Sequence, residues 1–448
     1  MISKGIIVRN IIILTLLAIV LIGIVFGIGI SKKTDDKLPD SHDDLLVKYS
    51  KQINIENLYK RGGEISSVAT KYSILYKNNN RRTMYVSSMP LRSIDDGRYS
   101  FVDKKIIDED GYFYTQYDGK TIIYDREGIT LKHKDNYFKL FMPDVVAFDY
   151  GYNIDTVYGN FDGIKYTHAD GTTIFAIPSY NGITITYIIG SSSLNIAFPI
   201  DVNNYTINND YYGSILLSDK TFTSNNVMQN NYFVISQPIV QKNDKKIEVK
   251  RAASIQKNEL KFSMSKEEDC PVSVTFSVNF YCENMFFDCA AFKQYPSRNH
   301  IFDNYIVYEA GEIKETINYM KFNIRSFTPK RKNLLDSVTL NLYILYCSGD
   351  IDIEVYSVRN DWCSWELTWM NQPAHNEKIG EFKVSDSGWY SIDLTKYAKL
   401  IIDKNYYNLE NNSILFKVKD GTSGYAIFTS TDNSMFPPFF EVNYRVEK

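Results

Sequence analysis

At 448 residues the chain has room for two or three domains, and its 44% hydrophobic and 23% charged composition is that of a globular protein. With Lys+Arg 50 against Asp+Glu 53 the net charge is −3, so no basic excess points to nucleic acid, and no nucleic-acid signature motif is present. Five scattered histidines (His42, His133, His168, His300, His375) leave little material for a metal centre or a His-based catalytic triad.

The first element is an apolar run. Residues 11–30 contain no charge, and at about 1.5 Å per residue they span roughly 30 Å, the hydrocarbon core of a bilayer. A cleavable signal peptide has a shorter apolar core and a small-x-small site, whereas this run ends in Ser31-Lys32-Lys33. The expectation is one retained transmembrane helix, with residues 1–33 as a membrane anchor and 34–55 as a polar spacer. Lys4 and Arg9 before the run nearly balance Lys32, Lys33 and Lys37 after it, so flanking charge leaves the orientation open.

From residue 56 to 275 turn dipeptides punctuate the chain: Asp96-Gly97, Asp110-Gly111, Asp118-Gly119, Asp162-Gly163, Asp170-Gly171 and Asn181-Gly182. Such pairs supply the positive φ of tight hairpins, and their spacing is that of successive short strands. The 35 Tyr and 26 Phe favour the same structure, because flat rings pack well on a pleated surface. From 276 to 448 the strands alternate more cleanly, as in 338–344, 320–324, 414–419 and 440–444, which predicts one face in a core and the other near solvent. One short helix is predicted around Leu394, Ala398 and Ile401, with Asp393 or Thr395 as its N-cap. The expected fold class is therefore an all-β ectodomain of two β-sandwich or jelly-roll-like domains, 56–275 and 276–448, behind the transmembrane helix. The second domain is expected to fold by itself.

Trp365-Glu366-Leu367-Thr368-Trp369-Met370-Asn371-Gln372-Pro373 resembles the W-x-x-x-TWNNQP signature of the DNRLRE domain, a β-sandwich of secreted bacterial proteins akin to carbohydrate-binding modules. The strand 319–324, the strand 334–343, the Gly388–Thr395 approach to the short helix and the closing 428–444 stretch are similar to that family's remaining motifs in the same order. More weakly, Arg61, Glu64 and 89–103 resemble the opening of bacterial wall-associated YD-repeat proteins, with Cys270-Pro271-Val272 where the joint to a DNRLRE domain falls. No YD-repeat shell or toxin domain accompanies them here, so toxin delivery is not carried over. The resemblance implies a bacterial cell-surface protein, single-pass in the cell membrane, with its ectodomain outside.

All four tryptophans, Trp362, Trp365, Trp369 and Trp389, lie within 28 residues. They are the candidate ligand-binding residues, because aromatic rings stack on sugar faces; the competing reading is packing within the core. Thr368 and Asn371 are expected to bond local backbone. The only cofactor considered is a structural calcium ion. Asp288 and Asp432 are its candidate ligands by fold analogy, while Asp95-Asp96 and Asp108-Glu109-Asp110 read as solvated hairpin tips. The five cysteines (Cys270, Cys282, Cys289, Cys347, Cys363) are odd in number and form no CxxC pair, so free thiols are expected, with one disulfide allowed by an outward-facing domain. No GxSxG, HExxH or GxxxxGK[ST] motif is present, and a non-enzymatic role follows. The expected function is a membrane-anchored surface protein whose C-terminal domain binds carbohydrate or envelope polysaccharide. The alternatives are an adhesive or structural protein with protein partners and a polysaccharide-cleaving enzyme.

Overall fold

The computed structural model describes residues 48–49, 64–65 and 70–447, with interruptions at 96–97, 103, 118, 157, 190–194, 202–204, 209–213, 220–230, 243–245, 250–252, 264–270, 282–286, 301–302, 304, 310–314, 360–361, 365 and 403–411. The expected anchor at 11–30 and most of the spacer lie outside the described residues. Among the described residues no helix is long and apolar enough to cross a membrane.

The alternating runs form strands, as their period of two requires, and these assemble into two sandwiches. In the first, an eight-stranded antiparallel sheet runs from Ala253–Gln256 at one edge to Ile107–Glu109 at the other. It faces a ten-stranded sheet whose path begins with Val145–Thr156, Gly159–His168, Thr173–Ser179 and Gly182–Ile188 and continues through Pro271–Phe280. Between them lie Ile122, Tyr124, Phe138, Leu140, Tyr166, Ile185, Phe198, Phe233 and Phe276, all buried. The hairpin chemistry holds at Asp110-Gly111, where φ is +54° and +82° and Asp108 accepts from the Gly111 N–H at 3.0 Å. It fails at Asp162-Gly163. These residues sit inside the strand Gly159–His168, and a Cβ on Gly163 would come within 2.7 Å of the Ala176 carbonyl oxygen. That glycine answers to close strand packing rather than to a turn.

In the second sandwich a five-stranded sheet carries Phe287–Phe292, Thr316–Phe322, Asn412–Val418, Ile351–Val358 and His375–Val384 in that order. It packs on a nine-stranded sheet built around Leu335–Ser348, Gly388–Asp393, Phe439–Arg445 and Tyr425–Thr429. Met320, Phe322, Leu340, Ile353, Phe416, Phe428 and Phe440 fill the space between. The helix Thr395–Ile402 buries Tyr397, Ala398 and Ile401; the Asp393 carboxylate accepts from the Thr395 N–H at 2.8 Å.

Two features depart from the alternation rule and from the expected partition. In Leu335–Ser348, Val338, Leu340, Leu342 and Ile344 face the core as predicted, yet Asn341 on the opposite face is also fully buried. That face is covered as well: Tyr343 stacks on Phe436 at 4.0 Å and meets Trp389 at 5.3 Å. The hairpin Ser73–Asn78/Arg81–Ser87, from the expected first domain, hydrogen-bonds onto Phe439–Arg445 of the second sandwich. The position 275/276 falls inside the strand Pro271–Phe280. Residues 44–448 accordingly cluster as one unit. The sandwiches meet through Tyr158, Ile177, Ile239 and Ile247 against Tyr305, Leu345, Ile427 and Met435.

Candidate functional site

Between the strands Ile351–Val358 and His375–Val384 the chain makes a long excursion that includes the tryptophan motif. Short polar side chains hold it. The Asn371 side-chain oxygen accepts from the Thr368 N–H (2.7 Å) and hydroxyl (2.9 Å), and its NH2 donates to the Glu366 carbonyl (2.7 Å). Gln372 donates to the Trp369 carbonyl at 2.9 Å, and Asn299 donates to the Ser364 and Leu367 carbonyls at 2.6 and 2.8 Å. The predicted local bonding of Thr368 and Asn371 is therefore present. Together these bonds satisfy the Thr368 N–H and the Glu366, Trp369, Ser364 and Leu367 carbonyls, where no strand ladder does so.

This excursion walls a cleft of about 530 Å³, lined by Arg359, Trp362, Glu366, Asn371, Asn376 and neighbouring apolar atoms. Its volume is within the range of small-ligand sites, roughly 300–1,000 Å³. Arg359, Glu366 and Asn376 are exposed, and the two charged side chains make no ion pair among the described residues. The cleft thus offers a cation, an anion and two amides around an apolar floor. Such a set can donate to and accept from the hydroxyl groups of a sugar.

The tryptophans do not gather there. Trp362 reaches the cleft but is only 7% exposed; its Nε1 donates to Ser413 at 3.1 Å, and the Lys321 ammonium stands 5.3 Å over its ring. Trp369 is half-buried beside the same core cluster, with Lys293 5.8 Å over its ring. Trp389 is buried elsewhere, against Tyr343, Phe436 and Phe439. Trp365 lies outside the described residues. Of the described tryptophans only Trp362 lines the cleft, and it does so as floor. Arg359 and Asn376 lie outside the quoted motif and Glu366 occupies one of its variable positions; their only signal is position, at the mouth of a polar loop between alternating strands.

The candidate calcium ligands fare differently. Asp288 is buried, and its Oδ1 accepts from the Thr431 N–H at 3.1 Å and from the Thr431 hydroxyl, while its Oδ2 makes no hydrogen bond. Burial pushes its pKa up to about 6, against the opposing pull of Thr431 and Asn318. Asp432, which follows Thr431 in sequence, is half-buried. Among the described residues no three His, Cys, Asp or Glu side chains converge on a possible metal. Asp288 and Asp432 by themselves do not fit a calcium ion, which takes six to eight oxygens. Of the cysteines, Cys289 is buried, Cys347 half-buried and Cys363 exposed, all unbridged. Burial raises the Cys289 thiol far above its ordinary value, which makes it inert. Cys270 and Cys282 lie outside the described residues.

The second sandwich is a β-sandwich module with a cleft of small-ligand size among its end loops. Residues 294–444 match the family model of carbohydrate-binding module family 96, so the C-terminal domain is similar to a carbohydrate-binding module. No curated protein matches the chain. Solved structures that resemble it in part include a protein crystallised with xylogluco-oligosaccharide (8% identity, 82% of this chain and 96% of that one, TM-score 0.15). A glycoside hydrolase family 43 arabinoxylan arabinofuranohydrolase from Bacillus subtilis, in complex with cellotetraose, shares 7% identity (84% and 95% covered, TM-score 0.12). The N-terminal domain of a Streptococcus gordonii adhesin also shares 7% (86% and 94% covered, TM-score 0.16). Likeness at these TM-scores has no bearing on fold or ligand.

Proposed function

We propose that this is a non-catalytic, membrane-anchored surface protein that binds polysaccharide through the cleft of its C-terminal, DNRLRE-like sandwich. The observation that carries this reading is the match of residues 294–444 to a carbohydrate-binding module family, over the same segment that forms the cleft. The uncharged run 11–30 supports the anchor. In the cleft, Arg359, Glu366 and Asn376 hydrogen-bond sugar hydroxyls while Trp362 and Leu367 supply the apolar floor.

The test is a glycan array probed with the full chain in detergent micelles, followed by titration of the best polysaccharide against Arg359→Ala and Asn376→Ala. Both side chains are exposed, so stability should stay within about 0.5 kcal/mol. Affinity is expected to fall about tenfold, the worth of one or two hydrogen bonds at roughly 1 kcal/mol each. No binding to any glycan would sink the reading and leave the adhesive role with protein partners.

A further inference from the structure

Among the described residues, the strand Val145–Thr156 is the outer edge of the ten-stranded sheet and pairs on one side only. Its register with Gly159–His168 slips between Gly151↔Gly163 and Ile154↔Phe161, so Tyr152 and Asn153 together oppose the single residue Asp162. This is a β-bulge, and it holds Asn153 at φ +50°. Bulges re-aim side chains. Here Tyr152 is turned out to 76% exposure, the largest value among the exposed apolar side chains of the described residues. A large ring left in water beside an unpaired edge is a liability that a polar residue would remove.

What surrounds the ring is specific. Tyr150 lies on the same strand with its ring centroid 4.6 Å from that of Tyr152 and the planes inclined at 60°. The Asp162 carboxylate is held at the bulge by the Asn153 N–H, at 3.0 Å to Oδ1. Burial first, and then the neighbouring Asp162 carboxylate and Tyr152 phenol, raise the Tyr150 phenol and keep it neutral. The strand also carries Asp149 and Asp155, both exposed, and no Lys or Arg. Inclined rings make an angle rather than a flat platform. An aromatic angle beside a carboxylate is the chemistry that recognises an ammonium ion: the ring faces attract a cation within about 6 Å, and the carboxylate supplies its counter-charge. A neutral pyranose would use Asp162 only as an acceptor for a hydroxyl, whereas an ammonium ion also uses its charge.

We infer that Tyr150, Tyr152 and Asp162 form a second binding site, in the first sandwich, for the ammonium group of an amino-sugar unit. The site is independent of the C-terminal cleft and shares no residue with it. A saccharide is the occupant because the chain's other ligand module is of carbohydrate-binding type. A lysine-bearing peptide, which offers the same cation, is the outcome to be told apart.

The experiment titrates the full chain in detergent with a glucosamine hexamer, its fully N-acetylated counterpart and a lysine-rich peptide, at mildly acidic pH and low salt. Expected are binding of the glucosamine hexamer, at least tenfold weaker binding of the acetylated one, and weakening with added salt. Tyr152→Ala and Asp162→Asn should each reduce affinity about fivefold or more, Tyr152→Trp should preserve it, and Arg359→Ala should leave it unchanged. An unchanged far-ultraviolet spectrum and melt in Tyr152→Ala would separate lost binding from lost fold. Equal binding of the acetylated hexamer, tighter binding of the peptide, or full affinity in Tyr152→Ala would overturn the site. Loss in Arg359→Ala alone would also overturn it, and would return amino-sugar binding to the cleft.

Discussion

Asp288 couples burial to proton binding. Its folded-state pKa of about 6 lies above the unfolded value of about 3.9, because burial disfavours the carboxylate. The folded state therefore binds the proton more tightly than the unfolded state does. The stability this contributes is fully present below about pH 4 and is lost as pH rises through 6. Two pKa units correspond to about 3 kcal/mol. Asp288→Asn keeps an acceptor for the Thr431 donors and removes the ionisation. It should flatten the stability–pH curve between about 4 and 7 and raise stability at pH 8, as read by chemical denaturation at each pH. A variant whose curve still falls through pH 6 would show that another group is responsible. The tryptophans carry a related lesson. Composition draws attention to their rings as sugar platforms, but Trp389 is enclosed by three aromatic rings and Trp362 spends its N–H on Ser413. Buried aromatic rings are worth more as packing than as contacts.

The loop between Ile351–Val358 and His375–Val384 carries a single 3-10 turn, Trp369–Asn371, among its described residues, and Asn371 is its internal brace. Three hydrogen bonds converge on that side chain, two from Thr368 and one to Glu366. Asn371 is exposed, so its loss should cost only about 1–2 kcal/mol. Asn371→Ala should lower the melting temperature by about 2–4 °C in calorimetry while weakening polysaccharide binding more than stability, since Asn371 also lines the cleft. Equal affinity in the variant would mean that Asn299 and Gln372 hold the loop unaided. The polar residues at this position were readable as local bonding because Thr and Asn compete for backbone groups in any irregular loop. Which charged residues would share the cleft was not readable. Arg359 and Asn376 line one cleft because the strands Ile351–Val358 and His375–Val384 pair, with their register shifts, beside it.

At the scale of the molecule, the two sandwiches are joined by more than a linker. The Ser179 and Ser434 hydroxyls bond at 2.9 Å, Ser434 donates to Asn279 at 2.7 Å, and the Tyr425 hydroxyl donates to the Ile247 carbonyl at 2.9 Å. Around these lie the apolar residues that bring Tyr158, Ile177 and Ile239 against Tyr305, Ile427 and Met435. A fragment 276–448 would lose the hairpin 73–87 that extends its sheet, expose the edge Phe439–Arg445 and uncover this seam. It should aggregate or bind a hydrophobic dye, whereas 44–448 should melt as one cooperative transition. A sharp, reversible melt of the fragment would show that the seam is dispensable.

The sequence by itself determined the class of the fold, because a period of two and Asp-Gly punctuation are local properties of the backbone. It also determined the short helix and the braced loop, for the same local reason. Only the tertiary structure decided which faces are covered. Asn341 reads as solvent-facing from the alternation of 338–344, yet it is buried and bonded across strands; the paired hydroxyls of Thr184 with Ser277 and Thr186 with Thr275 are likewise polar, buried and joined across strands. Burial of a strand's second face depends on what another part of the chain lays over it, and alternation carries no record of that partner.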